Sequence, residues 1–323
     1  MSRTDPLDRL DAADRALLRP AAPPARVEPM KAVLSPERFS DASWIFERKL
    51  DGVRAIATRD GERVRLASRN DLPLGERFPE LAAALAGQGA ERFVIDGEIV
   101  AFDGTHTSFE RLQRRGRERV AVFLYAFDIL HFDGFDTTRL PLLARKSLLR
   151  GALSFHGPLR FTVHRRRDGE RLFGEACARG WEGLVAKRAD APYTHGRSRD
   201  WLKFKCSAEQ ELVIGGYTAP RGSRTDLGAL LLGYHDGNRL RYAGKVGTGF
   251  TRGTLRDLAA RLTPLRRERS PFDDAVREHD AQWVDPELVA QVAFTEWTRD
   301  GRLRHPRFLG LREDKPAAEV VRE

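Results

Sequence analysis

A succession of short, largely apolar runs dominates the first two thirds of the chain, and it limits the fold more than any other feature. Runs of strand length and strand period occupy 44–50, 53–58, 63–68, 93–102, 121–130, 183–187 and 201–205. Helical periodicity is found at 77–86 and at 170–179, where Gly180 is a suitable C-terminal cap. Because strands and helices do not alternate regularly, the pattern disfavours a doubly wound fold and predicts a mixed α+β domain.

The pattern of predicted secondary structure changes after Cys206. Residues 211–219, 228–235 and 239–246 are predicted to be consecutive strands, and the turn 236–238 joins the last two. A helix at about 254–262 and a strand at 288–297 follow. This order predicts an all-β barrel of the OB type, a fold that commonly binds nucleic acid. We therefore expect a domain boundary near 206–210.

The first residues differ from both regions. Leucines at 7, 10, 17 and 18 suit a short amphipathic helix, but prolines at 20, 23, 24 and 29 interrupt the chain after it. We expect an N-terminal tail or arm at 1–28, a first domain at 29–206 and the OB domain at 207–323. A length of 323 residues agrees with two domains, at the usual ~100–200 residues each.

Charge and cysteine content limit the possible binding partners and the cellular compartment of the protein. The net charge of +9 and pI near 9.9 favour a polyanionic partner, although an arginine-rich composition also reflects some genomes. Two cysteines are too few for a disulfide framework or a cysteine-based zinc site, which predicts a reducing compartment. The sequence lacks a signal-peptide core and any apolar run long enough to cross a bilayer. We expect a protein of the cytosol or, if eukaryotic, one beside nuclear DNA, without a membrane partner.

Three predicted strands each place two ionisable residues on one face, with apolar residues on the other. Glu47 and Lys49 form one pair, in a segment that continues as Lys-Leu-Asp-Gly-Val-Arg over 49–54. The other pairs are Asp96 with Glu98, and Lys203 with Lys205. Each pair alone also suits a solvated strand. Together they indicate a pocket for phosphate chemistry.

With these segments in their order, the chain resembles an ATP-dependent DNA ligase of the lysyl-nucleotidyltransferase superfamily, closest to the ligase module of bacterial end-joining ligases. The match runs from about residue 29 to 316, and the segment around 71–76 departs from the family's usual Gly and Thr. The segments that carry it are 49–54, 68–70 with 78–80, 96–98, 108–113, 125–130, 141–146, 182–187, 196–198, 201–205, 304–306 and 310–315.

The resemblance implies a nucleotidyltransferase domain, with ATP-grasp-like mixed and antiparallel sheets and helices, followed by the OB barrel. It implies that Lys49 attacks the α-phosphate of ATP. The pKa of Lys49 must then fall, and we expect burial and the cations Lys203 and Lys205 to lower it. Glu98 and Glu182 are the expected ligands of Mg²⁺ or Mn²⁺.

Further roles are implied for residues on the matching segments. Glu47 would recognise the adenine, Phe127 would stack on it, and the cations would contact ribose or phosphates. The expected ATP and AMP contacts are Glu47, Arg54, Arg69, Glu98, Phe127, Lys187, Arg197, Lys203 and Lys205. In the OB domain, Arg312, Asp314 and Lys315 would orient pyrophosphate when that domain closes over ATP, which predicts a hinge near 206–210.

The implied activity is sealing of nicked or broken double-stranded DNA, in repair or end joining, by a monomer that could act beside a DNA-end-binding protein. Two alternatives stay open from the sequence. One is an RNA ligase or an mRNA-capping guanylyltransferase with the same lysine mechanism. The other is a non-catalytic nucleic-acid-binding module with a degenerate pocket, against which retention of Lys49, Glu98 and Glu182 argues.

Overall fold

The computed structural model describes residues 5–116, 118–206, 208–220 and 226–322. The chain divides into two compact units, Met1–Cys206 and Ser207–Glu323. Ser207, in the predicted hinge, lies outside the described residues. Within the described ranges, no helix combines the length and the apolar character needed to span a bilayer.

The first unit is rich in strands. Its helices are α1 (Ala12–Leu17), α2 (Pro79–Ala86), α3 (Phe109–Gln113), α4 (Leu142–Ala152) and α5 (Gly169–Ala178), with 3-10 turns at Pro6–Arg9 and Arg114–Gly116. Its strands are β1 (Arg19–Pro20), β2 (Met30–Leu34), β3 (Trp44–Lys49), β4 (Val53–Asp60), β5 (Arg63–Ser68), β6 (Arg92–Asp103), β7 (His106–Thr107), β8 (Val122–Phe132), β9 (Phe135–Asp136), β10 (Leu159–Phe161), β11 (His164–Arg166), β12 (Gly183–Arg188) and β13 (Gly196–Lys205).

These strands form two sheets, which confirms the mixed α+β class. The larger has the order β1-β9-β8-β6-β4-β5, with β10 beside β8 and β7 beside β6. The smaller has the order β11-β3-β12-β13-β2. Most pairs are antiparallel, but β10 with β8 and β13 with β2 are parallel. Each predicted strand of this region is present, and Gly180 ends α5 with a φ of +67°.

Helix α4 was not predicted, because charged residues interrupt its apolar periodicity. Its buried face combines leucines with Arg145 and Lys146. Arg145 is fully buried and forms an ion pair with Asp128, which is also fully buried. A charged residue on an otherwise apolar helix face is therefore paired here rather than solvated.

The N-terminal arm packs on the first unit over its described part. Leu10 is 5% exposed and belongs to the main core. Arg19 and Pro20 pair with Asp136 and Phe135 at the edge of the larger sheet. The segment set apart by its prolines is thus held by both apolar contact and backbone pairing.

The structure corrects the expectation about the cysteines. Cys177 on α5 and Cys206 after β13 form a disulfide with a Cα–Cα distance of 5.2 Å. The sequence separation of 29 residues concealed this proximity. Their number was too small to predict a disulfide framework and favoured a reducing compartment, but the fold brings the end of β13 beside α5, so that the two can pair.

The second unit is almost entirely β. Its strands are β14 (Ala208–Thr218), β15 (Leu230–Asp236), β16 (Arg239–Val246), β17 (Arg266–Arg267), β18 (Ala281–Val284), β19 (Val289–Phe294), β20 (Glu296–Trp297), β21 (Leu303–Arg304) and β22 (Arg307–Leu311), and its helix is α6 (Arg252–Leu262). Strand β14 pairs with β15 along one edge and with both β18 and β19 along the other, all antiparallel. Gly237 forms the predicted turn between β15 and β16 with a φ of +61°.

Candidate active site

Three neighbouring strands of the smaller sheet bring Lys49 and its predicted cationic companions together. Strand β12 pairs antiparallel with β3 on one side and with β13 on the other. Side chains on the same row of a sheet, or two residues apart on a strand, face the same way. One row contains Lys49, Gly183 and Lys205, and the next contains Glu47, Val185 and Lys203.

Glu182 is the nearest described charged partner of Lys49. The Nζ of Lys49 lies 2.5 Å from Oε1 of Glu182, and the two side chains are 22% and 8% exposed. The backbone carbonyl of Glu182 accepts a hydrogen bond from the amide of Cys206 at 2.9 Å. Glu182 immediately precedes β12, so strand alternation does not set the direction of its side chain. The fold directs it at the lysine.

The prediction that burial and the cations Lys203 and Lys205 lower the pKa of Lys49 is wrong. Burial by itself would lower this pKa, but the carboxylates of Glu182, Glu98 and Asp51 outweigh burial and raise it. Lys49 is therefore an ammonium at neutral pH and is held in place by Glu182. A nucleophilic role would require this ammonium to lose a proton, which the three carboxylates oppose.

A buried ion cluster surrounds Glu47, two residues before Lys49 on β3. The two carboxylate oxygens of Glu47 lie 2.5 Å from Nζ of Lys146 and 2.7 Å from Nζ of Lys187. All three side chains are nearly inaccessible. Burial favours the neutral acid, but the two ammonium groups hold the pKa of Glu47 below its ordinary value. Burial, with the neighbouring Lys146, lowers the pKa of Lys187 to about 8.

Phe127 lies beside this cluster and is 8% exposed. Its ring centroid is 4.1 Å from Nζ of Lys187 and 4.6 Å from the guanidinium carbon of Arg54. The ring of Trp201 contacts it edge-on at 5.9 Å. Stacking of a nucleotide base on Phe127 stays a prediction, and the base would compete with two cations for the ring.

The side chain of Arg54 is held by Asp96, which lies on the neighbouring strand β6 of the larger sheet. Its Nε and Nη2 donate to the two carboxylate oxygens of Asp96, each at 2.5 Å. Its Nη2 also donates to the carbonyl of Met30 at 3.1 Å. Burial would lower the pKa of Arg54, but Asp96 raises it. The guanidinium thus stays charged, and its orientation is fixed by a bidentate pair. Glu98 lies directly opposite Arg54 in the β4–β6 ladder.

The loop between β3 and β4 is fixed by hydrogen bonds to both the backbone and the side chain of Asp51. Asp51 accepts a hydrogen bond from the amide of Phe109 at 3.1 Å, and its own amide donates to Oγ1 of Thr107 at 3.1 Å. A Cβ on Gly52 would overlap the carbonyl oxygen of Ile99. Asp51 therefore orients the loop, and the close backbone approach at position 52 requires glycine.

The carboxylates suit a divalent cation that is shared with substrate. Glu98 and Glu182 both act electrostatically on Lys49, so both lie near its amine. Oε2 of Glu182 is buried without a hydrogen-bond partner among the described residues, which leaves a hard oxygen available. No cluster of three or more metal-ligand side chains occurs in the described part of the chain. Mg²⁺ typically takes one or two carboxylates together with substrate oxygens, so these residues fit it.

The roles of the other predicted site residues stay predictions. Arg69 follows β5 and is half-buried, while Arg197 is exposed near the start of β13. Arg197 pairs with Lys31 and Lys203 with Leu34 on β2, and the register of β13 shifts between Ser198 and Leu202. Arg312 and Lys315 belong to the second unit. There, Nε and Nη2 of Arg312 donate to the two carboxylate oxygens of Asp314, each at 2.9 Å. Lys315 pairs with Glu211 at 2.6 Å.

The sequence assigned no specific role to three residues that the structure links to predicted site residues. Asp96 was paired with Glu98 on one strand face and Lys146 stood in a matching segment, whereas Tyr193 lay outside the matching segments. Their partners are distant in the chain: Glu47 is 99 residues from Lys146, and Asp96 is 97 residues from Tyr193. A buried charged residue within an apolar run was the one available signal.

Family models and known proteins match both units of the chain. A family model described as "ATP dependent DNA ligase domain" matches residues 25–205, and "ATP dependent DNA ligase C terminal region" matches residues 223–315. The multifunctional non-homologous end joining protein LigD of Pseudomonas aeruginosa is 40% identical over 327 residues, 94% of this chain and 39% of that protein. The corresponding DNA repair protein LigD of Mycobacterium tuberculosis is 39% identical over 290 residues, 87% of this chain and 38% of that protein. The chain thus spans about two fifths of the length of these relatives.

Solved structures match over nearly their whole length. A mycobacterial DNA ligase D complexed with ATP and MES has a TM-score of 0.69 and 36% identity, covering 92% of this chain and 98% of that one. The ligase domain of M. tuberculosis LigD has a TM-score of 0.51 and 37% identity with the same coverage. These likenesses confirm the nucleotidyltransferase and OB folds and favour DNA ligases over the RNA-directed alternatives. The chain belongs to the family of ATP-dependent DNA ligases, close to the LigD type.

Proposed function

We propose that this protein seals nicks between a 5′-phosphate and a 3′-hydroxyl in double-stranded DNA, with ATP as the adenylate donor. The observation that carries the proposal is the row that contains Lys49 and Lys205, with Glu182 2.5 Å from the Lys49 amine. It combines a primary amine, an acceptor for its proton and a cation for phosphate on one face. The resemblance to a ligase structure with bound ATP supports the choice of nucleotide.

The reaction would begin with attack of the Lys49 Nζ on the α-phosphorus of ATP. A nitrogen–phosphorus bond forms, the bond to the bridging oxygen breaks, and pyrophosphate leaves. The Lys49 ammonium must give up one proton before attack, for which Oε1 of Glu182 is the nearest described acceptor at 2.5 Å, and a second proton passes to solvent as the nitrogen–phosphorus bond forms. Lys203 and Lys205 would balance the charge that gathers on the phosphate. In the second unit, Arg312, Asp314 and Lys315 would orient the leaving pyrophosphate.

Two transfers would follow on DNA. An oxygen of the 5′-phosphate attacks the lysine-bound adenylate, which releases the Lys49 amine and leaves AMP on the DNA end. The 3′-hydroxyl then attacks the activated 5′-phosphate, so that a phosphodiester forms and AMP departs. A divalent cation such as Mg²⁺ or Mn²⁺, when held by Glu98 and Glu182, would supply positive charge against the carboxylates and phosphates.

The decisive experiment separates chemistry from binding. Purified protein is incubated with α-³²P-labelled ATP, GTP or NAD, and covalent label is read on a denaturing gel. We expect label with ATP, none in Lys49→Ala, and normal label in Lys245→Ala, a control lysine that pairs with Glu278 in the second unit. Covalent label that persists in Lys49→Ala would refute the mechanism. Nicked DNA and RNA duplexes assayed in parallel distinguish a DNA ligase from an RNA ligase.

For the biological setting we propose DNA repair or end joining, by a monomer in the bacterial cytoplasm near the nucleoid. The names of the LigD relatives and the net charge of +9 support this setting. Joining of linear DNA with and without a DNA-end-binding protein tests it. Equal yields in both reactions, together with unchanged DNA-damage survival of a deletion strain, would contradict the end-joining role.

A further inference from the structure

A buried tyrosine, Tyr193, connects three separate segments behind the nucleotide pocket. Its hydroxyl donates to Oδ2 of Asp96 at 2.6 Å and accepts a hydrogen bond from the amide of Met30 at 2.8 Å. Tyr193 is 4% exposed and Asp96 is fully buried. The same Asp96 oxygen accepts from Nη2 of Arg54 at 2.5 Å. The Tyr193 hydroxyl thus donates a hydrogen bond directly to the carboxylate that orients Arg54.

We infer that Tyr193 is a positioning residue for ATP: its hydroxyl fixes Asp96, and Asp96 fixes the guanidinium of Arg54 beside Phe127. The inference rests on the proposed function, in which Arg54 contacts the nucleotide. Tyr193 itself touches no nucleotide in this scheme. It acts through a carboxylate that has no access to solvent and therefore depends on protein donors for its orientation.

The charges of the network explain why a hydroxyl is needed there. Asp96 is bound by the Arg54 fork through Nε and Nη2, and Tyr193 adds a donor from a different direction. Burial and the adjacent Asp96 raise the pKa of Tyr193 well above its ordinary value, so the phenol keeps its proton. The same hydroxyl gives the buried amide of Met30 an acceptor, and the carbonyl of Met30 accepts from Arg54. One oxygen therefore supports both groups that hold the guanidinium.

The backbone around Tyr193 is fixed independently of its hydroxyl. Its amide donates to the carbonyl of Thr138 at 2.7 Å, and Arg145 donates to the carbonyl of Ala191 at 3.1 Å. The ring contacts Trp201 edge-on at 5.8 Å. Phenylalanine at position 193 would keep the ring contact and these backbone bonds. Tyr193→Phe therefore removes the hydroxyl alone.

The test measures the rate of lysyl-AMP formation against ATP concentration for the intact chain. We expect Tyr193→Phe to raise the KM for ATP about tenfold, as loss of one hydrogen bond to a charged group predicts, and to change kcat less than about twofold. The matched control is Tyr217→Phe, which removes a buried tyrosine hydroxyl from the second unit, where it accepts from Arg266 at 2.8 Å. Its KM should equal that of the wild type.

A double-mutant cycle with Arg54→Gln distinguishes positioning from a general structural effect. If Tyr193 acts through Arg54, adding Tyr193→Phe to Arg54→Gln raises the KM no further. An equal rise on both backgrounds, or no rise in the single variant, overturns the inference. Asp96→Asn serves as a second variant should Tyr193→Phe not fold, and the same KM rise with the same lack of additivity toward Arg54→Gln is expected. Loss of label in Lys49→Ala verifies the proposed function separately.

Discussion

Replacing Glu182 by glutamine should make Lys49 more nucleophilic and the enzyme slower. In the protein without ligands, Glu182 lies 2.5 Å from the Lys49 amine and is the largest of the groups that raise its pKa. The Glu182→Gln variant loses this negative charge but keeps nearly the same volume. The pKa of Lys49 should then fall. Adenylation should nevertheless slow, because the variant also loses a proposed metal carboxylate and the nearest described acceptor for the lysine proton.

The size of the effect follows from the geometry. Two unit charges at this distance interact by about 6–7 kcal/mol at an effective dielectric constant of ~20, an upper bound for the pair. Burial opposes part of this, and hydrogen bonds to charged groups contribute about 1.5–3 kcal/mol net. At ~1.4 kcal/mol for each pH unit, the titration midpoint of Lys49 should move down by roughly one to two pH units.

The measurement is the pH dependence of Lys49 acetylation in nucleotide-free and metal-free protein, read by mass spectrometry of the peptide. Glu175→Gln is the matched control, because Glu175 is a half-exposed carboxylate on α5 whose partners include Arg171 rather than Lys49. An unchanged midpoint in Glu182→Gln would show that Glu182 does not control the amine. Adenylation as fast as in the wild type would remove Glu182 from the proposed catalytic site.

Three further outcomes are expected. Because the pKa of Lys187 falls from 10.5 to about 8 on folding, the unfolded chain binds a proton that the folded chain lacks between those values. The free energy of unfolding should therefore rise with pH across that window by up to ~1.4 kcal/mol per pH unit, and Lys187→Met, followed by denaturant titration, should lack this rise. Reductant should lower the free energy of unfolding of the wild type by about 3–4 kcal/mol, because the disulfide between Cys177 and Cys206 closes a loop of 29 residues. The Cys177→Ala variant should not respond to reductant. Equal effects on both proteins would argue against this disulfide. Gly52→Ala should cost about 2–3 kcal/mol from overpacking, whereas Gly75→Ala, whose added Cβ meets nothing within 4 Å, should be nearly neutral in the same thermal unfolding assay.

Local pattern was sufficient for most strands of the fold. Strands β4, β5 and β12 begin at the predicted residues, because alternation and flanking turn residues define short strands well. Helix α4 escaped prediction, since Arg145 and Lys146 lie on its buried face and break the apolar stripe. The direction of Glu182 could not be obtained from parity either. It lies just before β12, where the backbone is set by contacts with Cys206 rather than by strand alternation.

The amino-acid sequence by itself determined which residues could share a face, because the two-residue period of a strand is a local property. It thereby placed Lys49 with Glu47, and Lys203 with Lys205, before any fold was known. Only the tertiary structure decided which charges meet, because electrostatic energy depends on distances between segments that are far apart in the chain. That is why the pKa of Lys49 rises where burial and neighbouring cations were expected to lower it, and why Tyr193 shares the carboxylate of Asp96 with Arg54.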